Sequence, residues 1–274
     1  MYTFETNIRF SEVDETARLS IPAIVDLLQD CSTFHSDSLG MGPAHAAATG
    51  RAWMISGWEI EVLRRPRFNE RVRVATWATG FKGIRATRDF AIHEAGGEAG
   101  GSAMPSGTPL VYATSNWFMF DTNLGAPIRL PQEEVAPYLP DLEDKPLGMP
   151  PVSRHIVTGV EAQSATPVTI TGAHLDTNHH VNNAQYVSLA LGALEELSLD
   201  GRYLADGGGK DASKAGPLWI DVRYAKAARR GNVIYPHIYD EEGTADERGT
   251  APGSTTVSLD NADGTPYAQI RLRR

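Results

Sequence analysis

The chain carries a second version of itself. Asp14 and Asp176 stand 162 residues apart, as do Leu27 and Leu189, and Val72 and Val233 stand 161 apart. An offset that holds through strand, helix and strand marks two copies of one folding unit, and 274 residues leave room for two. In the first copy, residues 2–10 read as a strand, and Ser20-Ile21-Pro22 reads as a helix start, with serine at the N-cap and proline in the first turn. Ile24, Leu27, Leu28, Cys31, Phe34 and Leu39 then keep helical spacing until Gly40. Alternating or β-branched runs predict strands at 58–63, 71–77, 88–93 and 110–120, with a Gly/Ser/Pro-rich hairpin tip at 96–108.

The second copy repeats the order. Residues 168–171 read as a strand and 183–197 as a helix with Tyr186, Val187, Ala190, Leu191, Leu194 and Leu197 on its apolar face; strands follow at 218–224, 233–239, 254–259 and 268–272. Segment 130–151, with six prolines and a run of acids, reads as a surface linker. The expected organisation is therefore an N-terminal domain at 1–135, a linker at 136–151 and a C-terminal domain at 152–274. The class is α+β, each long helix burying its apolar face on the antiparallel sheet that follows it. Gly192 sits inside the second helix at a cost of about 1 kcal/mol against alanine; a close sheet backbone would compensate, and simple tolerance is the other reading.

Composition narrows the class further. No uninterrupted apolar run approaches the length of a membrane span, and MYTFETNIRF lacks the basic start and apolar core of a secretion signal, so a cytoplasmic protein is expected. A single cysteine, Cys31, excludes an internal disulfide framework and a cysteine-rich zinc site. With 25 Lys plus Arg against 34 Asp plus Glu, the net charge of −9 argues against a general nucleic-acid binder. The cations are clustered: Arg64, Arg65, Arg67, Arg71 and Arg73, then Lys82, Arg85 and Arg88, and later Arg223, Lys226, Arg229 and Arg230. These are either solvated strand edges or patches that meet an acidic partner despite the negative whole.

The stretch richest in chemistry is Asp176-Thr177-Asn178-His179-His180-Val181-Asn182-Asn183, between a strand and the second helix. It sets a carboxylate, a carboxamide and an imidazole just before a helix N-terminus, where backbone N–H groups and a partial positive charge could hold an oxyanion while a base activates water. The bland alternative is an Asn-rich helix cap. His174, His179 and His180 lack the spaced ligand pattern of a metal site, so no metal is expected.

The pattern Asp-x-Asn-x-His-Val-Asn-Asn resembles the signature of the acyl-acyl carrier protein thioesterases, enzymes of two tandem hot-dog domains. Leu27-Leu28-Gln29-Asp30 with His35 and Leu39-Gly40 resembles that family's first hot-dog helix. Arg64-Arg65-Pro66 with the strand after it, and Ser115 through Asp121, resemble later family segments in the right order. The resemblance implies that Asp176, Asn178 and His180 form the catalytic group of a thioester hydrolase that needs no cofactor. His180 and Asp176 would activate water, Asn178 would orient carbonyl or water, and amides of 181–183 would hold the oxyanion. It also implies that the first domain, with Asp14, Thr16 and Arg18 at the equivalent positions, shelters the acyl chain. The partner would be an acidic acyl carrier protein (ACP), met by the arginine-rich segments. The fused copies already make a pseudo-dimer, and a homodimer of whole chains stays open. One departure stands out: the family's strand-region Glu falls at Ala227. Three other readings remain: a hot-dog thioesterase acting on coenzyme A esters, a non-catalytic acyl-binding protein, and a hot-dog dehydratase that would convert a hydroxyacyl substrate without liberating thiol.

Overall fold

The computed structural model describes residues 1–96, 107–159, 163–204, 216–241 and 253–274, in two compact units, Met1–Val152 and Ser153–Arg274. Most of the Gly/Ser/Pro-rich hairpin tip read from the sequence lies outside the described residues.

In the first unit the chain runs through β1 (Tyr2–Asn7), α1 (Ile21–Ser38), α2 (Pro43–Thr49), β2 (Arg51–Val62), β3 (Arg71–Lys82), β4 (Arg85–Glu94), β5 (Pro109–Asp121) and β6 (Ala126–Ile128). The strands pair antiparallel in the order β1-β3-β4-β5-β2, with β6 on β5. Helix α1 begins where the sequence sets it: the Ser20 hydroxyl accepts the Ala23 N–H, and Pro22 occupies the first turn, where its missing N–H costs nothing. Gly40, at φ 73°, follows its end. The helix packs on β1 and β3, burying Ile21, Ile24, Val25, Leu27, Leu28 and Cys31. Trp58, Trp77 and Phe90 fill the core, with the Trp58 and Phe90 rings 4.9 Å apart.

The second unit repeats this plan with β7 (Gln163–Ser164), β8 (Val168–Thr169), α4 (Asn183–Glu196), β9 (Leu218–Tyr224), β10 (Val233–Glu241), β11 (Ser254–Asp260) and β12 (Pro266–Arg273). Its order, β7-β10-β11-β12-β9 with β8 also on β10, is that of the first sheet element for element. Helix α4 buries Ala184, Tyr186, Val187, Ala190, Ala193 and Leu194 and packs on β10, β11 and β12. Each unit is thus a hot-dog domain, a long helix wrapped by an antiparallel sheet.

Several sequence expectations need correction. The first strand stops at Asn7, and Phe10–Glu12 is a 3-10 turn. Strand β2 starts at Arg51, seven residues before the predicted start, because a register shift between Ile55 and Gly57 interrupts the alternation there. Pro131, Pro137 and Pro140 of segment 130–151 lie at or within a short helix α3 (Gln132–Val135) and a 3-10 stretch (Ala136–Glu143) that packs on β3, while Pro146, Pro150 and Pro151 follow in irregular chain. Within that stretch Tyr138 is buried and the Asp141 carboxylate accepts the Ala78 N–H at 2.8 Å. A further short helix, α5 (Gly201–Leu204), follows α4. Among the described residues a Cβ at Gly192 would meet nothing within 4 Å, so none of their sheet backbone approaches it and compensates its helix cost.

Candidate active site

The Asp176 motif forms a tight turn leading into α4, and its backbone is bonded like the turn at Asp14 that leads into α1. The Asp176 N–H donates to His180 O at 2.8 Å, and the Asp14 N–H to Arg18 O at 2.9 Å. His179 at φ 59° and Ala17 at φ 56° each take the left-handed conformation that reverses the chain. The N–H of Val181 donates to Ala228 O, and that of Leu19 to Pro66 O. The N–H of Asn182 donates to His174 O, and that of Ser20 to Glu12 O. In both turns the aspartate also holds the backbone, since one carboxylate oxygen accepts two N–H groups. For Asp176 Oδ1 these are Asn178 at 2.8 Å and His180 at 3.2 Å; for Asp14 Oδ1 they are Thr16 at 2.9 Å and Arg18 at 3.4 Å.

The side chains then diverge. Thr16 Oγ1 donates to Asp14 Oδ1 at 2.6 Å, and the guanidinium of buried Arg65 takes Asp14 Oδ2. In the second unit the residue equivalent to Arg65 is the exposed Ala227. Among the described residues, Asp176 Oδ2, the Asn178 carboxamide and the His180 ring carry no hydrogen bond, and none joins the three side chains to one another. Asn178 is exposed, while Asp176 and His180 are half-buried. Burial holds the His180 imidazole below its ordinary pKa; the Arg229 charge adds to this and Asp176 opposes it.

The loop that carries Ala227 is braced by two residues that sequence reasoning had read only as packing or strand positions. The Tyr186 hydroxyl accepts the Ala228 N–H at 2.7 Å, and the Tyr224 hydroxyl donates to Asn183 O at 3.1 Å. Burial pushes the Tyr186 phenol up to about 12, so it stays protonated. Two of the three amides expected to hold an oxyanion are engaged within the protein: those of Val181 and Asn182 donate to the Ala228 and His174 carbonyls. The Asn182 side chain caps α4 through the Ala184 N–H at 2.8 Å. Cys31 is buried, and burial pushes its thiol pKa up, away from nucleophilic chemistry.

The arginine-rich segment also differs from expectation. Arg64 pairs with Glu70 and Glu94, Arg65 with Asp14, and both Arg71 and Arg73 with Glu5. Arg88 is buried and donates to His35 Nδ1 at 2.9 Å and Thr76 Oγ1 at 3.1 Å. An open groove of about 500 Å³ lined by Arg64, Arg67, Glu70, Arg71, Glu94 and Ala95 therefore mixes both signs of charge.

The family model for the acyl-ACP thioesterase N-terminal domain matches residues 1–138, half of the chain. The chain belongs to the acyl-ACP thioesterase family. Its curated relatives within that family include a chloroplastic acyl-[acyl-carrier-protein] hydrolase of Cuphea viscosissima, 26% identical over 199 residues, and a chloroplastic oleoyl-acyl carrier protein thioesterase of Arabidopsis thaliana, 24% identical over 206 residues. These matches cover 68% and 70% of this chain but 45% and 54% of the relatives, so the chain spans about half the length of these curated relatives. Similar solved structures include an acyl-ACP thioesterase of Bacteroides thetaiotaomicron (TM-score 0.73, 20% identity) and the 12:0-ACP thioesterase of Umbellularia californica (TM-score 0.70, 18% identity). Each likeness covers 99% of this chain and 96% of the other, and at such identities it carries the tandem hot-dog fold. Among the described residues of this acyl-ACP thioesterase family member, no helix is long and apolar enough to cross a membrane.

Proposed function

We propose that the chain hydrolyses the thioester of fatty acyl-ACP to free fatty acid and the carrier's thiol, with the chemistry at Asp176, Asn178 and His180. One observation carries this reading: the second turn keeps the backbone of the first but leaves a carboxylate oxygen, a carboxamide and an imidazole without internal partners. Groups held in place yet unsatisfied by the protein are available to a substrate.

In this reading His180 takes a proton from water as the water oxygen attacks the thioester carbonyl. Its lowered pKa supports the role, because a base must be neutral at working pH. The Asn178 carboxamide donates to the carbonyl oxygen as it becomes an oxyanion, taking over from the engaged amides of Val181 and Asn182. The carbon–sulfur bond then breaks, the electron pair leaves on sulfur, and His180 returns its proton to the thiolate. Asp176 fixes the turn through Oδ1 and faces the imidazolium or the water through Oδ2, standing in for the carboxylate that Ala227 cannot supply. The domain at 1–135 is assigned the acyl chain, because its turn residues Asp14, Thr16 and Arg18 are engaged within the protein and leave it no chemistry to perform.

The test is thiol release from one acyl group presented on ACP and on coenzyme A. The proposal expects kcat/KM to favour the ACP ester by about tenfold or more. Equal rates would move the assignment to a coenzyme A thioesterase, and acyl binding without thiol release would make the chain a binding protein.

A further inference from the structure

The two units differ at a second pair of matched positions, at the rim of the turn. In the first unit Phe10 and Phe68 meet edge to face with ring centroids 5.9 Å apart, 80% and 51% exposed. Their counterparts at the 162-residue offset are Gly172 and Arg230. The Arg230 Nη2 lies 2.5 Å from where a Cβ on Gly172 would stand, too close for a side chain, so the glycine leaves the room the guanidinium needs. Lys226 and Arg229 belong to the same loop, and all three cations are exposed. Among the described residues no carboxylate pairs with any of them, in contrast to Arg64, Arg65, Arg71 and Arg73 of the first unit, held by Glu5, Asp14, Glu70 and Glu94. On a chain of net charge −9, a cluster of three unneutralised cations beside the His180 turn is where an anionic surface would be drawn in.

We propose that Lys226, Arg229 and Arg230 form the docking surface for the acidic carrier protein, and that the 64–73 arginine cluster does not. This rests on the thioesterase reading for the identity of the partner. Rim charges of this kind steer the encounter and set its salt dependence, while the acyl chain supplies the remaining affinity.

The experiment measures binding of labelled, unacylated holo-ACP by fluorescence anisotropy at several salt concentrations, with thiol release from acyl-ACP by the unaltered protein followed in parallel. Lys226→Glu/Arg230→Glu should weaken binding about tenfold and flatten its salt dependence. Arg67→Glu/Arg85→Glu, two exposed unpaired cations of the first unit, should change it by less than about twofold. If the reversal variant does not fold, the neutral pair Lys226→Gln/Arg230→Gln should still weaken binding about threefold. Unchanged binding in the folded Lys226/Arg230 variants, a larger loss in the Arg67/Arg85 variant, or no binding by the unaltered protein would each overturn the proposal. Carrier binding without thiol release would instead sink the thioesterase reading and leave the docking surface standing.

Discussion

In the first unit the turn aspartate commits both carboxylate oxygens to the protein: Asp14 Oδ1 to two backbone N–H groups and the Thr16 hydroxyl, Oδ2 to Arg65. In the second unit Asp176 makes the same two backbone bonds and stops there. Threonine has become Asn178, Arg18 has become His180, and Arg65 has become Ala227. The backbone scaffold is therefore common property of the fold, and the candidate chemistry arises where the scaffold's internal partners have been withdrawn. A motif aspartate is by this comparison first a structural residue; what distinguishes the two copies is the fate of its second oxygen.

The comparison can be broken most forcefully at the aspartates themselves. Asp176→Asn keeps an oxygen for the turn and strands no cation, so turnover should fall about 100-fold with little change in melting temperature. Asp14→Asn removes one charged partner of the buried Arg65, which should cost about 1–3 kcal/mol of stability while turnover below the melt persists. Thermal melts and thiol-release rates on both variants check this, and the opposite assignment of effects would dissolve the contrast. Next in size, Ala227→Arg should rebuild the first unit's ion pair around Asp176 and lower kcat about tenfold without loss of stability; unaltered kcat would show that Oδ2 is not used.

A finer test is pH. Because burial and Arg229 disfavour the imidazolium, His180 stays neutral to lower pH than a free imidazole, and activity that needs the neutral form is lost as pH falls through that lowered pKa. Arg229→Gln removes one of the causes that lower it, so the acid limb of kcat/KM on a small acyl thioester should move to higher pH. A limb that stays put would remove His180 as the base. The smallest effect lies away from both turns. Gly192→Ala should raise stability by about 1 kcal/mol, read as a higher melting midpoint with activity unchanged, since a Cβ there meets open space.

Much of this was legible in the chain, and the limits have physical causes. Helix α1 was readable because Ser20, Pro22 and Gly40 are local signals that act within one turn. The duplicated turn was readable as a spacing of Asp14 and Asp176, and the same offset sets Arg65 against Ala227, a signal present in the sequence that only the paired geometry made meaningful. The ion pairing of the arginine cluster was not legible because its partners come from across the sheet: Glu5 on β1 stands opposite Arg73 on β3, and Glu94 reaches Arg64 from 30 residues away. No window along the chain sees such pairs. Likewise Tyr186 sits in the apolar stripe of α4, yet its hydroxyl reaches the Ala228 N–H 42 residues on.

The account stands or falls on whether the second turn alone carries the reaction. Thiol release from acyl-ACP by His180→Ala and Arg18→Ala, each with its thermal melt, addresses this directly. The prediction is a loss of about 100-fold or more for His180→Ala with an intact melt, and turnover near the unaltered rate for Arg18→Ala. A folded His180→Ala protein that still releases thiol at the original rate, or one matched in its loss by a folded Arg18→Ala, would contradict it.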